Sequence, residues 1–117
     1  MMMNELITLL EARLLCGSPT NPHDFSSAFA GDMMSDVLAY GQGQSLLLTG
    51  LLNQQVIRTA EMMDIICIVF VRGKKPDSAM IELAEERGIA LISCDQRMFT
   101  ACGLLYENGL RGGREEK

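Results

Sequence analysis

The feature that most constrains the fold is an unbroken run of seven apolar residues, 65–71, near the middle of the chain. Most of the seven are β-branched, and the turn-forming residues Gly73 and Pro76 follow them closely. A short apolar run bounded by turn signals predicts a strand that is buried on both faces. Such a strand needs helices above and below it, and the rest of the chain should supply them.

The segments from residue 25 onward predict alternating strands and helices. Strand-like runs at 25–30, 45–49, 65–71 and 89–92 are each followed by a helical pattern, which we expect to begin at Asp32, Asn53, Asp77 and Asp95. A short helix and a strand at 13–16 precede them. This alternation predicts an α/β fold, a single three-layer domain with a mostly parallel sheet flanked by helices on both faces. We expect the domain to span residues 1–110, with a polar, frayed tail at 111–117.

Composition and charge argue against several classes of function. The net charge of −5 is unsuited to an electrostatic grip on nucleic acid, which needs clustered Lys and Arg. No apolar run approaches the roughly 18 residues that a membrane span requires. The amino terminus lacks the positive flank and cleavage site of a signal peptide, so the sequence predicts a cytoplasmic location.

The four cysteines and the single histidine give no sign of a metal centre. Cys16, Cys67, Cys94 and Cys102 form no CxxC pair, and His23 lies in a loop far from them in sequence. We therefore predict no metal site, no cofactor and no disulfide framework. A zinc site built from these five residues is the less favoured alternative.

The best candidate site is the edge of the sheet where the parallel strands end. In open α/β sheets, ligands gather at this edge, and each strand here leads into a helix amino terminus that favours an anion. Arg72, Lys74 and Lys75 add positive charge to one of these loops. The other interpretation is that Gly73 and Pro76 only shape a turn and that the basic side chains are solvated. The predicted ligand-binding residues are Asp32, Thr49, Gly50, Arg72, Gly73, Lys74, Ser93 and Asp95.

No motif supports catalysis directly. The G-x-x-x-x-G-K-[ST] spacing of a P-loop is absent, and the glycines at 41 and 43 precede a strand instead of following one. Cys94 stands at a predicted helix start, where the pKa of a thiol can be lowered, but no base is near it in sequence. The sequence therefore favours a binding module and predicts no catalytic residue. The alternative is a small enzyme that acts on a phosphorylated or thiol substrate through Cys94 and Asp95.

Several segments resemble one family. The stretch GDMMSDVLA at 31–39, Leu48-Thr49-Gly50, the helix opened by Pro76-Asp77 and the stretch FTACGLLYENGL at 99–110 are similar to stand-alone DRTGG-domain proteins. Related domains occur in the amino-terminal part of HPr kinase/phosphorylase and in long phosphotransacetylases, where they are regulatory. The resemblance implies a regulatory role and an association with iron hydrogenases in anaerobes.

The chain also departs from the motif that names this family. Leu51-Leu52 stand where the motif has Asp-Arg, and Val71-Arg72-Gly73 stands where it has Thr-Gly-Gly. The kinase's catalytic P-loop domain is absent from this sequence, so a kinase activity is not implied.

The leading hypothesis is a non-catalytic regulatory or accessory module, forming a homodimer. Its partner would be a small anionic, nucleotide- or phosphate-like ligand, or a redox enzyme such as an iron-hydrogenase subunit. A third interpretation is a structural subunit with an exposed methionine-rich patch around Met33, Met34 and Met98.

Overall fold

The computed structural model describes residues 1–41 and 43–113, which form five helices and a five-stranded sheet. The sheet order is β1-β5-β4-β3-β2, with β2 to β5 parallel and β1 antiparallel to β5. The predicted α/β class is therefore confirmed. In chain order the elements are α1 (Met3–Leu10), β1 (Arg13–Cys16), β2 (Ala28–Ala30), α2 (Met34–Tyr40), β3 (Leu46–Thr49), α3 (Gln54–Met62), β4 (Cys67–Phe70), α4 (Ser78–Arg87), β5 (Ala90–Ser93) and α5 (Met98–Glu107).

Strand β4 lies at the centre of the sheet, as its apolar run predicts. All four of its residues are completely buried, with β3 on one side and β5 on the other. Alternate side chains enter the two cores: Cys67 and Val69 join the core on one face, and Ile68 and Phe70 join the core on the other. The chain steps from β2 to β5 in one direction across the sheet. Because such crossovers are right-handed, α2, α3 and α4 all share one face, and α1 and α5 cover the other.

Local sequence signals place the two central helices correctly. The Asn53 side chain accepts a hydrogen bond from the Val56 amide and caps α3, and the Asp77 side chain caps α4 in the same way through Met80. Gly88 ends α4 in the left-handed conformation, with φ of 70°. These three boundaries are confirmed.

The predicted starts of α2 and α5 are wrong. Helix α2 begins at Met34, and the residue at its cap position is Met33, not Asp32. Helix α5 begins at Met98, and its cap residue is Arg97, not Asp95. In both cases the aspartate is recruited by a side chain or backbone group from another element, and that tertiary hydrogen bond replaces the local cap.

The sequence pattern also misplaces two side chains of α5. Phe99 and Tyr106 are expected inward with Met98, Cys102 and Leu105, but Phe99 is 90% exposed and Tyr106 is 52% exposed. The helix turns Ala101 and Leu105 towards the sheet instead. Since α5 carries apolar residues on most of its surface, periodicity alone could not choose between its faces.

The start of the predicted tail is tied to the sheet. Arg111 bridges to Ser27, donating its amide to the Ser26 carbonyl and accepting from the Ala28 amide. The rest of that predicted tail, 114–117, lies outside the described residues. Among the helices that the structure describes, none is long and apolar enough to cross a bilayer.

Candidate anion-binding edge

Four loops meet at the edge where β2, β3, β4 and β5 end. The parallel register places Ala30 beside Leu48, Thr49 beside Phe70, and Phe70 beside Ser93, so these strands finish at nearly the same level. The sheet order thereby assembles the strand ends and loops that carry all eight predicted ligand-binding residues. We call this surface the carboxyl edge: Asp32, Thr49, Gly50, Arg72, Gly73, Lys74, Ser93 and Asp95.

Asp32 is the centre of the first half of the carboxyl edge. Its Oδ1 accepts hydrogen bonds from the Thr49 hydroxyl at 3.0 Å and from the Gly50 amide at 2.8 Å. Its Oδ2 lies 3.9 Å from a guanidinium nitrogen of Arg72. Thr49 is buried, and its Oγ1 also accepts from the Leu51 amide at 3.1 Å. One carboxylate therefore connects the loops that follow β2, β3 and β4.

Arg72 is held in an unusual backbone conformation. Its φ is 60° and that of Gly73 is 69°, and the Lys74 amide closes the turn onto the Val71 carbonyl at 3.2 Å. The left-handed region is costly for a residue with a long side chain, at about 1–2 kcal/mol. The turn directs the guanidinium over Gly50, where even a methyl group would collide with it. Strained backbone of this kind concentrates at functional sites.

The second half of the edge joins the loops after β4 and β5. The Arg72 amide donates to the Gln96 carbonyl at 2.7 Å, and the Gly73 amide donates to the Cys94 carbonyl at 2.8 Å. The buried Ser93 hydroxyl donates to the Lys74 carbonyl at 2.7 Å. These bonds fix the backbone from which the Lys74 side chain extends. Lys74 and Lys75 are exposed, and neither forms an ion pair with any residue in the described part of the chain.

Arg13 belongs to the carboxyl edge although sequence reasoning missed it. Its guanidinium lies 3.2 Å from Oδ1 of Asp95. Strand β1 is antiparallel, so its first residue pairs with Ser93 at the end of β5. An antiparallel edge strand that begins with Arg was the available signal, but its neighbour in the sheet could not be known from the sequence.

The backbone amides of these loops are not available to a ligand in the way that the sequence suggests. The Gly31 amide donates to Leu48, and those of Gly50 and Gly73 donate to Asp32 and Cys94. Asn53 and Asp77 already cap α3 and α4. Each cap satisfies one amide of the first turn, so these two helix amino termini are partly occupied within the chain. The side chains that the edge offers to a ligand are above all the half-exposed guanidinium of Arg72 and the Lys74 ammonium.

Cys94 lacks the surroundings of a nucleophile. It is completely buried, and burial raises the pKa of its thiol, against the lowered pKa that a helix start could give. Asp95 is paired with Arg13. His23 contacts Ser45, next to the start of β3, so it lies at the opposite end of the strands. No observation favours the alternative of a small enzyme working through Cys94 and Asp95.

Other possible binding features lie away from the carboxyl edge. Residues 1–41 and 43–113 contain no cluster of three potential metal ligands. A cleft of about 330 Å³ lies between β2 and α5, and its lining includes Ala28, Leu48, Leu105 and Leu110 but none of the eight predicted ligand-binding residues. Of the predicted methionine patch, Met33 is exposed, Met34 is buried and Met98 is half-buried.

Comparisons with known proteins identify a shared fold. No family model matches the chain, and no curated protein does. Among solved structures, the chain is similar to the CBS and DRTGG domains of the regulatory region of Clostridium perfringens pyrophosphatase, which were crystallised with the activator diadenosine tetraphosphate. The TM-score is 0.73 with 15% sequence identity, over 99% of this chain and 50% of that one. The chain thus spans about half the length of this structural neighbour and shares its fold over that half.

Proposed function

We propose that this chain is a regulatory module that binds a small anionic, nucleotide- or phosphate-like ligand at the carboxyl edge. The observation that carries the proposal is the placement of Arg72. A left-handed backbone directs its guanidinium over Gly50 and towards Asp32, and about half of the side chain remains exposed. Arginine offers paired N–H groups that match phosphate oxygens.

The other groups of the edge suit an anion of modest affinity. Lys74 and Lys75 supply exposed positive charge beside Arg72, and Arg13 adds a fourth basic group. Asp32 and Asp95 offset part of that charge. Because Asp32 already contacts Arg72, an incoming phosphate would share or replace that ion pair, and the open edge would screen the attraction. We therefore expect binding that responds to cellular nucleotide concentrations rather than permanent occupancy.

The structural neighbour supports the choice of nucleotides as probes. That structure is of a regulatory region in complex with its activator, diadenosine tetraphosphate. Since the likeness establishes the fold alone, this ligand comes to the present chain only as a candidate. It belongs in a panel with inorganic phosphate, AMP, ADP and ATP.

Isothermal titration with that panel, up to about millimolar ligand, tests the proposal. We expect at least one phosphorylated compound to bind, and Arg72→Gln to weaken its binding about tenfold or more, because a charge-assisted hydrogen bond contributes about 1.5–3 kcal/mol. Arg58→Gln is the matched control, since Arg58 is an exposed arginine on α3 and its loss changes the net charge equally.

A third variant tests whether the position of the Arg72 guanidinium matters in addition to its charge. Gly50→Ala keeps every charge but places a methyl group where the Arg72 guanidinium lies, so it should also weaken binding. The proposal fails if no compound of the panel binds, or if Arg72→Gln and Arg58→Gln have the same effect.

The predicted redox partner is proposed on the family resemblance alone. Purification of the tagged chain from its native host, with mass spectrometry of the bound proteins, tests it. Recovery of an iron-hydrogenase subunit above the level in an untagged control is the expected result, and its absence from all specific partners would contradict the proposal.

A further inference from the structure

The cleft between β2 and α5, at the outer edge of the sheet, has the character of a small-molecule site. Its volume of about 330 Å³ lies within the range of such sites, about 300–1,000 Å³. Ala28, Leu48 and Leu105 are among the apolar residues that line it, and among the described residues Arg111 is the one charged member of its lining. An apolar cavity with few, well-placed polar groups is typical of a site for a small organic ligand.

The cleft exists because β2 presents small side chains to this face of the sheet. Side chains alternate along a strand, so Ala28 and Ala30 lie on the same face as their register partners Leu46 and Leu48, while Phe29 lies on the other face. Both leucines are buried, whereas Ala30, on the edge strand, is exposed. Two alanines at the end of an apolar face leave a space that larger side chains would fill.

Arg111 is fixed in position by contacts that use only part of its guanidinium. Its Nη1 donates to the carbonyls of Tyr106 at 3.0 Å and Leu110 at 2.8 Å, and its Cζ lies 4.0 Å from the centre of the Tyr106 ring. A guanidinium carries five N–H groups, and those on Nη2 and Nε donate to no acceptor within residues 1–41 and 43–113. Arg111 also forms no ion pair with a carboxylate in this part of the chain. The cleft therefore has an ordered cation with N–H groups that an anion could use.

The cleft has a charged end and an apolar end. Arg111 bridges to Ser27, just before β2, whereas Ala30 is the last residue of β2 and pairs with Leu48. The three residues of β2 span roughly 10 Å, at about 3.3 Å per residue. A ligand that matches both ends joins an anionic group to an apolar body of about this length.

We propose that this cleft binds a small amphipathic carboxylate, whose carboxylate group pairs with the Arg111 guanidinium and whose apolar body lies against Ala28 and Ala30. The paired N–H groups of arginine match the geometry of a carboxylate. The apolar body gains by leaving water for the apolar lining. The inference goes beyond the proposed ligand binding at the carboxyl edge, because none of the eight residues of that edge lines the cleft.

Isothermal titration with octanoate, up to about millimolar ligand, tests the proposal. Octanoate joins a carboxylate to an unbranched apolar chain. We expect octanoate to bind, and octan-1-ol and octylamine to bind at least about tenfold more weakly, because neither forms the charge-assisted hydrogen bonds, which contribute about 1.5–3 kcal/mol. Acetate carries the same charge without the apolar body, so it should not bind in this range.

Two variants and their matched controls locate the site. Arg111→Gln should weaken octanoate binding about tenfold or more, whereas Arg58→Gln, which removes an exposed arginine of α3, should leave it unchanged. Ala30→Leu should abolish binding by filling the apolar end, whereas Ala39→Leu, at an exposed position of α2, should not. Circular dichroism shows whether each variant folds. Ala30→Leu keeps the proposal testable if Arg111→Gln disturbs the end of α5.

The half-buried Cys102 also lines the cleft and provides a direct probe of its occupancy. Alkylation of Cys102 by iodoacetamide should slow in proportion to the fraction of the chain that has bound octanoate. Absence of octanoate binding, equal binding of octanoate and octan-1-ol, unchanged binding by Arg111→Gln and Ala30→Leu, or an unchanged alkylation rate would each overturn the proposal. Arg72→Gln should leave octanoate binding unaltered, and none of these outcomes affects the titration with nucleotides.

Discussion

The carboxyl edge and the outer face of α5 differ in how many of their exposed side chains contact other residues of the same chain. At the carboxyl edge, Asp32 accepts two hydrogen bonds and contacts Arg72, while Arg13 and Asp95 form a second ion pair. On α5, Phe99 and Tyr106 expose apolar rings to solvent beside a glycine with open space above it. One surface is polar and largely paired within the chain, and the other is apolar and has only the stacking of Arg111 on Tyr106.

This difference shows that two kinds of function require two kinds of evidence. A ligand at the carboxyl edge must compete with internal contacts, so its affinity depends on how Asp32 and Arg72 share their interaction. On α5 the Phe99 ring has no such internal contact to lose, and Tyr106 has only its stacking with Arg111. The following predictions test each side of this comparison, beginning with the largest expected effect.

Replacing Asp32 should show how much the internal contacts of the carboxyl edge stabilise the fold. Asp32→Ala leaves the buried Thr49 hydroxyl and the Gly50 amide without their acceptor. We expect a loss of about 1–3 kcal/mol in the free energy of unfolding, measured by urea denaturation. Asp36→Ala, an exposed aspartate of α2, should change it by less than about 0.5 kcal/mol. Equal effects of the two variants would mean that the contacts of Asp32 are not stabilising.

The rate of thiol alkylation should differ between the two surfaces. Burial raises the pKa of both thiols, but Cys94, at the carboxyl edge, is completely buried, whereas Cys102 on α5 is only half-buried. Iodoacetamide should alkylate Cys102 at least about tenfold faster than Cys94, because reaction at Cys94 requires local opening. Peptide mass spectrometry over time measures both rates. Faster reaction at Cys94 would revive the enzymatic alternative that its burial disfavours.

Removing only the charge of Asp32 should strengthen the proposed anion site. Asp32→Asn retains a side-chain oxygen for Thr49 and Gly50 but removes the negative charge 3.9 Å from Arg72. At the dielectric constant of water, two unit charges about 4 Å apart interact with an energy of about 1 kcal/mol. An energy of that size corresponds to about a fivefold change in the affinity for a phosphorylated ligand. Titration of the unaltered chain and the variant measures the ratio. Weaker binding by the variant would indicate that Asp32 contacts the ligand directly.

The smallest expected effect concerns the cost of the glycine on α5. Gly103→Ala adds a Cβ in open space, so the chain should gain about 0.8–1.0 kcal/mol in its free energy of unfolding. Urea denaturation of the unaltered chain and the variant measures the difference. An unchanged or lower free energy of unfolding in the variant would contradict the prediction.

Much of the fold follows from local patterns in the sequence. The apolar run 65–71 predicts a buried strand, because a continuous run of that length leaves no solvated face, and β4 occupies its centre, Cys67–Phe70. Asn53, Asp77 and Gly88 mark helix ends through bonds or backbone angles that involve only neighbouring residues. The alternation of such elements is enough to predict a parallel sheet and therefore the edge at which the eight candidate residues lie.

Only the tertiary structure decided the contacts within that edge and the face that α5 presents. Asp32 could cap its own helix or accept from Thr49 and Gly50, and the second arrangement prevails because the sheet brings those donors within 3.0 Å. Arg13 reaches Asp95 because β1 pairs with β5, a choice between strands far apart in sequence. Phe99 and Tyr106 point outward because the sheet and α1 accommodate the opposite side of α5. The sequence by itself determined the elements and their order, since those depend on short-range geometry, and the packed sheet determined which polar groups met and which apolar groups remained without a partner.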